Sequence, residues 1–400
     1  MNIVLILILI ISSKTHVLAR ENIADELNSL LQRSVDGPLN FPELARNYGY
    51  QTEKYDVQTE DGYLLGLFRI PGERGLPTLL MHGLMDTSDT WLIRGNTSLG
   101  VTLACEGYDL WFGNIRGNRY SRRHVKLNPD IDTSFWDYSF HEHGFYDLPA
   151  IIDTILWKTG SKKLNAIGHS QGNTIFYILG STRPEYNAKV NVMTALAPVC
   201  FFNNAPPPLS WLIQISPQLY ELAMSSGVHE IFGNVTPIGK ATKLFCSRPS
   251  IGYAVCLLGV LFPFVGFDTQ ELLPLFFNVI VEHNPAGTTT KNFYHFFQLG
   301  LRGRFSNFDY GPDRNLLEYN SKTPPDYNLT SVTMPIVFIA ARNDKLSRIP
   351  DVENLLQQLP NVVRYTIIKR RIMNHLDYVW GAHMKAYLFP YILEVLEKFN

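Results

Sequence analysis

Cysteine is scarce in this chain: its 400 residues hold four, at positions 105, 200, 246 and 256. So few cannot make a disulfide framework, and a hydrophobic core has to carry the stability. Zinc-type Cys/His spacing is missing too, and the fragment His141-Glu142-His143 lacks a third ligand within reach. There is no surplus of charge of one sign, with 35 Lys and Arg against 36 Asp and Glu. That balance excludes the basic footprint of a nucleic-acid binder and points to a neutral or apolar ligand. Long hydrophobic runs are also absent: residues 3–11 are too few and residues 251–267 are broken by Pro263, whereas a membrane span needs ~20 apolar residues.

What is present is a hydrophobic fraction of 46%, enough to fill the core of one large α/β domain with an insertion or of two modest domains. Residues 1–19 read as a signal peptide, an apolar run followed by Val17 and Ala19 at the small-residue positions before cleavage, although Lys and Arg are missing at its start. The N-x-S/T triplets at Asn96, Asn234 and Asn328 agree with export and are candidate glycosylation sites. The four cysteines allow three pairings; Cys246 and Cys256 close a short loop and are favoured, and Cys105, in the apolar pattern after Val101, is expected to be a buried free thiol.

Along the chain, residues 55–70 predict two strands around an Asp61-Gly62 turn. A fully apolar strand follows at 77–81, a strand running into a polar glycine loop at 107–118, a helix is predicted over 146–157 with Pro149 in its first turn, and another strand runs from 190 to about 197. The rhythm breaks near Phe201, and residues 201–325 are rich in Phe, Leu and Pro with short helical patterns and no clear strand. Alternation resumes at 336–340 and 362–368. The pattern predicts an α/β core in two parts, 20–200 and 326–400, with a mainly helical cap of 201–325 inserted between them. Within the cap, residues 211–224 contain Pro217 before a Ser225-Ser226-Gly227 break and suit either a short hinged lid or a fixed cap helix.

Residues 164–175 carry the chemistry: a short strand, the pentapeptide Gly168-His169-Ser170-Gln171-Gly172, and an apolar helix start. This is the context of a nucleophile elbow, a tight strand-to-helix turn that exposes a serine hydroxyl to a base. The partners of such a serine follow in the order acid, then histidine, each past a late strand. Asp344, after the strand at 336–340, is the predicted acid, and His375, after the strand at 362–368, the predicted base. Asp377 lies too near His375 in sequence to come from the separate loop that the acid requires. Backbone N–H groups of Gln171, next to the nucleophile, and of Leu84, after His82-Gly83, are predicted to stabilise a tetrahedral oxyanion. His82 and His169 are assigned packing or hydrogen-bonding roles at strand ends.

Several longer strings carry a family resemblance: His82-Gly83-Leu84 with Trp91, Asn114 through Ser121, Phe135 through Glu142, the elbow itself, His283-Asn284-Pro285-Ala286-Gly287-Thr288, and Asn374-His375-Leu376-Asp377. From about Asn47 onward the chain resembles the acid lipase family, the group of gastric lipase, lysosomal acid lipase and many secreted insect lipases. The resemblance implies an α/β-hydrolase fold, mostly parallel sheet with helices on both faces and a cap or lid over the site. It also implies hydrolysis of neutral lipid esters such as triacylglycerols or sterol esters, a triad of Ser170, Asp344 and His375, oxyanion donors at Leu84 and Gln171, and a cap disulfide between Cys246 and Cys256. Ile115, Asn173 and Cys200 depart from the usual family pattern and bear on substrate preference.

The reading from sequence is therefore a secreted or lysosomal serine lipase, with no metal or organic cofactor and with lipid ester at an oil-water or membrane interface as its partner. Two rivals stand beside it. A short-chain carboxylesterase would not need so much apolar cover. A non-catalytic lipid carrier on a hydrolase fold would not need a complete triad in order, and labelling by an organophosphonate separates the two.

Overall fold

A computed structural model describes residues 39–247 and 252–399. The predicted signal peptide lies outside these residues. Eight strands form one sheet: β1 (Glu53–Gln58), β2 (Leu64–Ile70), β3 (Arg74–Met81), β4 (Tyr108–Gly113), β5 (Leu164–His169), β6 (Val190–Leu196), β9 (Ile336–Ala340) and β10 (Val362–Ile367). Their spatial order is β1-β2-β4-β3-β5-β6-β9-β10. The first two strands make the expected hairpin, with Gly62 at φ 98 in its turn, and β2 joins β4 antiparallel. From β4 to β10 every pairing is parallel.

The apolar runs of the central strands follow from burial on both faces, since a parallel sheet is covered by the helices of its own crossovers. Successive residues feed two cores. Leu80, Ile167 and Val337 pack on one side with Leu99 and Leu103 of α2 (Leu99–Cys105) and Ile392 and Leu396 of the C-terminal helix (Phe389–Phe399). Leu79, Ala166 and Phe338 pack on the other, with Ile151 and Ile155 of α3 (Leu148–Thr159), Ile175 and Leu179 of α4 (Gln171–Thr182), and Leu355 of the helix Ile349–Gln358. A short helix α1 (Phe41–Asn47) precedes the sheet, closed by a capping box between Asn40 and Glu43. The helix predicted over 146–157 starts and ends two residues later, stopped by Gly160 in the left-handed conformation at φ 68.

Between β6 and β9 the chain leaves the main sheet. This excursion contains α5 (Leu209–Ser225), α6 (Pro237–Cys246), a π-helical turn over Gly252–Leu261, α7 (Pro274–His283), α8 (Thr290–Arg302) and α9 (Pro312–Tyr319). Cys246 and Cys256 are joined in a disulfide. Three expectations need correction. The excursion does hold strand, a two-residue antiparallel pair of β7 (Glu230–Ile231) with β8 (Thr288–Thr289). Residues 211–224 are not a short hinged element but part of the 17-residue helix α5, which runs through Pro217. Proline there removes the donor that would reach the Ile213 carbonyl, and the Ser216 hydroxyl donates to that oxygen instead at 2.7 Å. Cys105 is exposed. It lies two residues beyond the buried Leu103, about 200° round the helix and so on the opposite face.

A close backbone approach in the core joins α4 to β3, at Gly172. A Cβ on this residue would lie 2.3 Å from the Met81 carbonyl oxygen and 3.0 Å from that of His82. Both are backbone atoms of the central sheet and its first loop, so neither can step aside. Gly172→Ala is expected to cost about 3 kcal/mol in urea-denaturation stability. Gly259→Ala, whose Cβ meets nothing nearer than 3.4 Å, is expected to stay within about 0.5 kcal/mol of the wild type.

Candidate active site

In open α/β sheets the carboxyl ends of the strands face the ligand crevice, and here those of β3, β5, β9 and β10 lead into the predicted residues. Ser170 follows β5 directly at φ 54 and ψ −119 and precedes the first residue of α4. A non-glycine residue in this conformation is strained, and the surroundings hold it there. Ser170 N–H donates to Leu196 O at 3.1 Å, its carbonyl accepts from Asn173 N–H at 2.8 Å, and Asn173 Nδ2 donates to Leu196 O at 2.6 Å. The two glycines flanking the serine serve this turn: a Cβ on Gly168 would come 2.5 Å from Asn173 Oδ1.

Three of the predicted residues meet. His375 Nε2 lies 2.8 Å from Ser170 Oγ, and His375 Nδ1 lies 2.8 Å from Asp344 Oδ2. The other carboxylate oxygen of Asp344 accepts the N–H groups of Leu346 and Ser347, at 2.9 and 2.7 Å, and Asp344 is fully buried. Such bonds aim the carboxylate at the imidazole. Asp377 points elsewhere, accepting Asn374 N–H at 2.7 Å. The backbone of the histidine loop is pinned as well: His375 N–H donates to Val265 O at 3.2 Å, and His375 O accepts from His169 Nε2 at 2.9 Å.

His82, His169 and His141 take polar structural parts. Burial pushes His169 down to about 3, helped by the nearby His375, and pushes His82 down to about 4. Both imidazoles are neutral, so His82 donates from Nδ1 to Gly83 O at 2.8 Å and its Nε2 is free to accept from Asn118 Nδ2 at 3.1 Å. This fixes the start of the loop that carries Leu84. The Gln171 N–H, at the first position of α4, is among the four that have no acceptor inside a helix. His141 pairs with the Tyr327 hydroxyl, and no group of three metal-ligating side chains occurs among the described residues.

Ser170 and His375 open into a cavity of about 330 Å³. Leu84 and Met85 form its wall beside the serine, Leu209 and Leu212 of α5 and Phe293 and Phe297 of α8 its cap side, and Leu376 and Val379 its floor. Sequence reasoning did not single out the α8 residues, although Phe293, Phe296 and Phe297 recur at the spacing of one helix face. Asp86 also lines the cavity, and burial pushes its carboxyl up to about 6. The predicted acceptor residues Asn96, Asn234 and Asn328 are all exposed.

The comparisons with known proteins agree with this architecture. Residues 41–95 match the family described as partial alpha/beta-hydrolase lipase region, and residues 77–223 match alpha/beta hydrolase fold. The chain is 38% identical to Lipase 1 of Drosophila melanogaster, over 91% of this chain and 81% of that one. It is 38% identical to gastric triacylglycerol lipase of Rattus norvegicus, over 86% and 88%, and 36% identical to lipase member K of Homo sapiens, over 90% and 91%. A solved soluble variant of monoglyceride lipase from Saccharomyces cerevisiae shares the fold, with a TM-score of 0.53 at 16% identity over 88% of this chain and 97% of that one. With a hydrolase sheet, a serine at its strand-to-helix turn and relatives of this similarity along most of its length, the chain belongs to the acid lipase family of carboxylic ester hydrolases.

Proposed function

We propose that the protein cleaves neutral lipid esters, triacylglycerol or sterol ester, through a triad of Ser170, His375 and Asp344. The observation that carries this reading is the unbroken run from Asp344 Oδ2 through both nitrogens of His375 to Ser170 Oγ, with 2.8 Å at each step, at the wall of an apolar cavity. Ser170 Oγ attacks the ester carbonyl while His375 Nε2 takes its proton. Asp344 keeps the imidazole in the tautomer with Nδ1 protonated and stabilises its charged form. The N–H groups of Leu84 and Gln171 receive the oxyanion. Collapse of the tetrahedral intermediate expels the alcohol with the proton from His375 and leaves an acyl-Ser170. Water, activated by the same imidazole, then releases the fatty acid.

The lipid preference is supported by the cavity wall and by α5. This helix turns Leu209 and Leu212 into the cavity and leaves Trp211, Ile215, Leu219 and Leu222 exposed. Those four recur at spacings of three and four and form a second apolar stripe on the outer face. Such a stripe suits contact with an oil-water or membrane interface. A leader at residues 1–19 and the exposed Asn96, Asn234 and Asn328 support passage through the secretory route to the outside or the lysosome. No helix among the described residues is long and apolar enough to cross a membrane.

Two measurements test the reading. Ser170→Ala is expected to keep the thermal unfolding midpoint while lowering ester turnover about 10⁴- to 10⁶-fold, and Asp344→Asn to lower it about 10⁴-fold. Comparable turnover in Ser170→Ala, or a damaging Asp377→Asn beside a harmless Asp344→Asn, would refute the triad. For the helix, the double change Leu219→Ser and Leu222→Ser is expected to reduce hydrolysis of emulsified triolein about 10-fold or more and that of a soluble butyrate ester less than about 2-fold, on the scale of two lost apolar contacts. Equal losses on both substrates would make the stripe a packing feature.

A further inference from the structure

The string His283-Asn284-Pro285-Ala286-Gly287-Thr288 stands out in the sequence but supplies no member of the triad. In the fold it leaves the end of α7, runs along the cavity wall and leads through β8 into α8. Two of its contacts fall on Met85, the residue after the assigned donor Leu84. Asn284 Nδ2 donates to Met85 O at 3.0 Å, and Ala286 N–H donates to the same oxygen at 2.7 Å. The Asn284 side chain also hydrogen-bonds the Asp86 carboxylate. Met85 follows Leu84 and sits at φ 60, a left-handed conformation that its side chain disfavours. Two donors on its carbonyl therefore hold a strained turn one residue from the Leu84 N–H.

The second donor is approached from the same segment. Asn292, in the first turn of α8, donates from Nδ2 to Gln171 Oε1 at 2.8 Å. The other end of that glutamine amide, Nε2, is buried without a partner, so this bond is what orients it. Asn292 is itself fixed by Thr289 Oγ1, which accepts its N–H at 2.9 Å, and its Nδ2 lies 3.1 Å from Thr288 Oγ1. The segment is seated on the core at both ends, through His283 and Asp89 at 2.9 Å and through the Thr289 hydroxyl and Tyr138 O at 2.7 Å.

We infer that Asn284 and Asn292 are positioning residues for the oxyanion hole, and that the hole has its productive shape only while residues 283–292 are seated on the core. The inference rests on the assignment of Leu84 and Gln171 as the donors. Loss of Asn284 frees Met85 to leave its strained conformation and swings the Leu84 N–H away from the serine. Loss of Asn292 releases the Gln171 side chain and, with it, the first turn of α4. A displacement of about 1 Å at such a donor is enough to slow the chemical step by up to 10²-fold without weakening substrate binding. The seating of the cap and the stabilisation of the transition state are thus one structural event.

The test uses the whole chain and a soluble butyrate ester, so that no interface enters the measurement. Asn284→Ala and Asn292→Ala are each expected to lower kcat about 10- to 100-fold, to leave KM within about 2-fold, and to slow covalent labelling by an organophosphonate in proportion to kcat. Adding Met85→Gly to Asn284→Ala is expected to recover part of kcat, because glycine adopts the left-handed conformation without strain. Folded variants with wild-type kcat overturn the inference, and so does a fall in kcat that Met85→Gly leaves untouched and that a lowered melting temperature matches. Should Asn284→Ala fail to fold, Asn292→Ala decides alone by the same criteria. Failure of the triad assignment would look different: the wild type would resist the phosphonate, or Ser170→Ala would stay active, whatever the two asparagine variants do.

Discussion

The distance between α4 and β3 at Gly172 governs the site. With no Cβ at this position, the helix that follows the serine comes down onto the Met81 and His82 carbonyls. The chain can then reverse within one residue, Ser170, at the expense of its φ of 54. A wider turn would carry the hydroxyl away from His375 and the first helical N–H away from the Leu84 loop. Parallel pairing of β3, β5, β6, β9 and β10 then places four loops at one edge of the sheet. Each of the side chains or amides assigned to the site is placed by that alignment, since each lies beyond the end of a strand.

Burial does a second service. A hydrogen bond to a carboxylate gains strength where water is excluded, and Asp344 is both fully buried and held by two backbone N–H groups. Around it the same exclusion keeps His82 and His169 neutral, so that they act as directional hydrogen-bond partners instead of charges. His169 fixes the backbone of His375, and His82 fixes that of the Leu84 loop. Two histidines that resemble catalytic candidates in the sequence thus hold the groups assigned to catalysis.

The cap does more than cover the cavity. Its residues join both cores of the sheet, Phe262 and Phe277 on one side and Phe296 and Leu299 on the other. A cover bound this closely can transmit its position to the strand-end loops, and the asparagine contacts to Met85 and Gln171 are two of its routes. Its outer face differs in kind, because α5 exposes a stripe of large apolar side chains that no part of the described chain covers. One helix therefore meets both the cavity and the surroundings of the protein.

Strand order in sequence, the elbow and the order serine, acid, histidine were legible because they depend on local patterns: continuous apolar runs for doubly covered strands, glycines where a turn admits no side chain, and polar residues at strand ends. Asp344 could be preferred to Asp377 on topology alone, as a residue two positions from His375 cannot arrive from a separate loop. The Cys246–Cys256 pairing was readable from the shortness of its loop and from the family resemblance. The exposure of Cys105, the continuity of α5 through Pro217 and the two-residue strands of the cap were not, because each turns on which face an element presents or on a single compensating hydrogen bond. The parts played by Asn284 and Asn292 belong wholly to the tertiary structure. An asparagine near a proline or at a helix start has local uses that look the same in sequence, and only the folded chain brings these two from the cap to Met85 and Gln171, more than a hundred residues away.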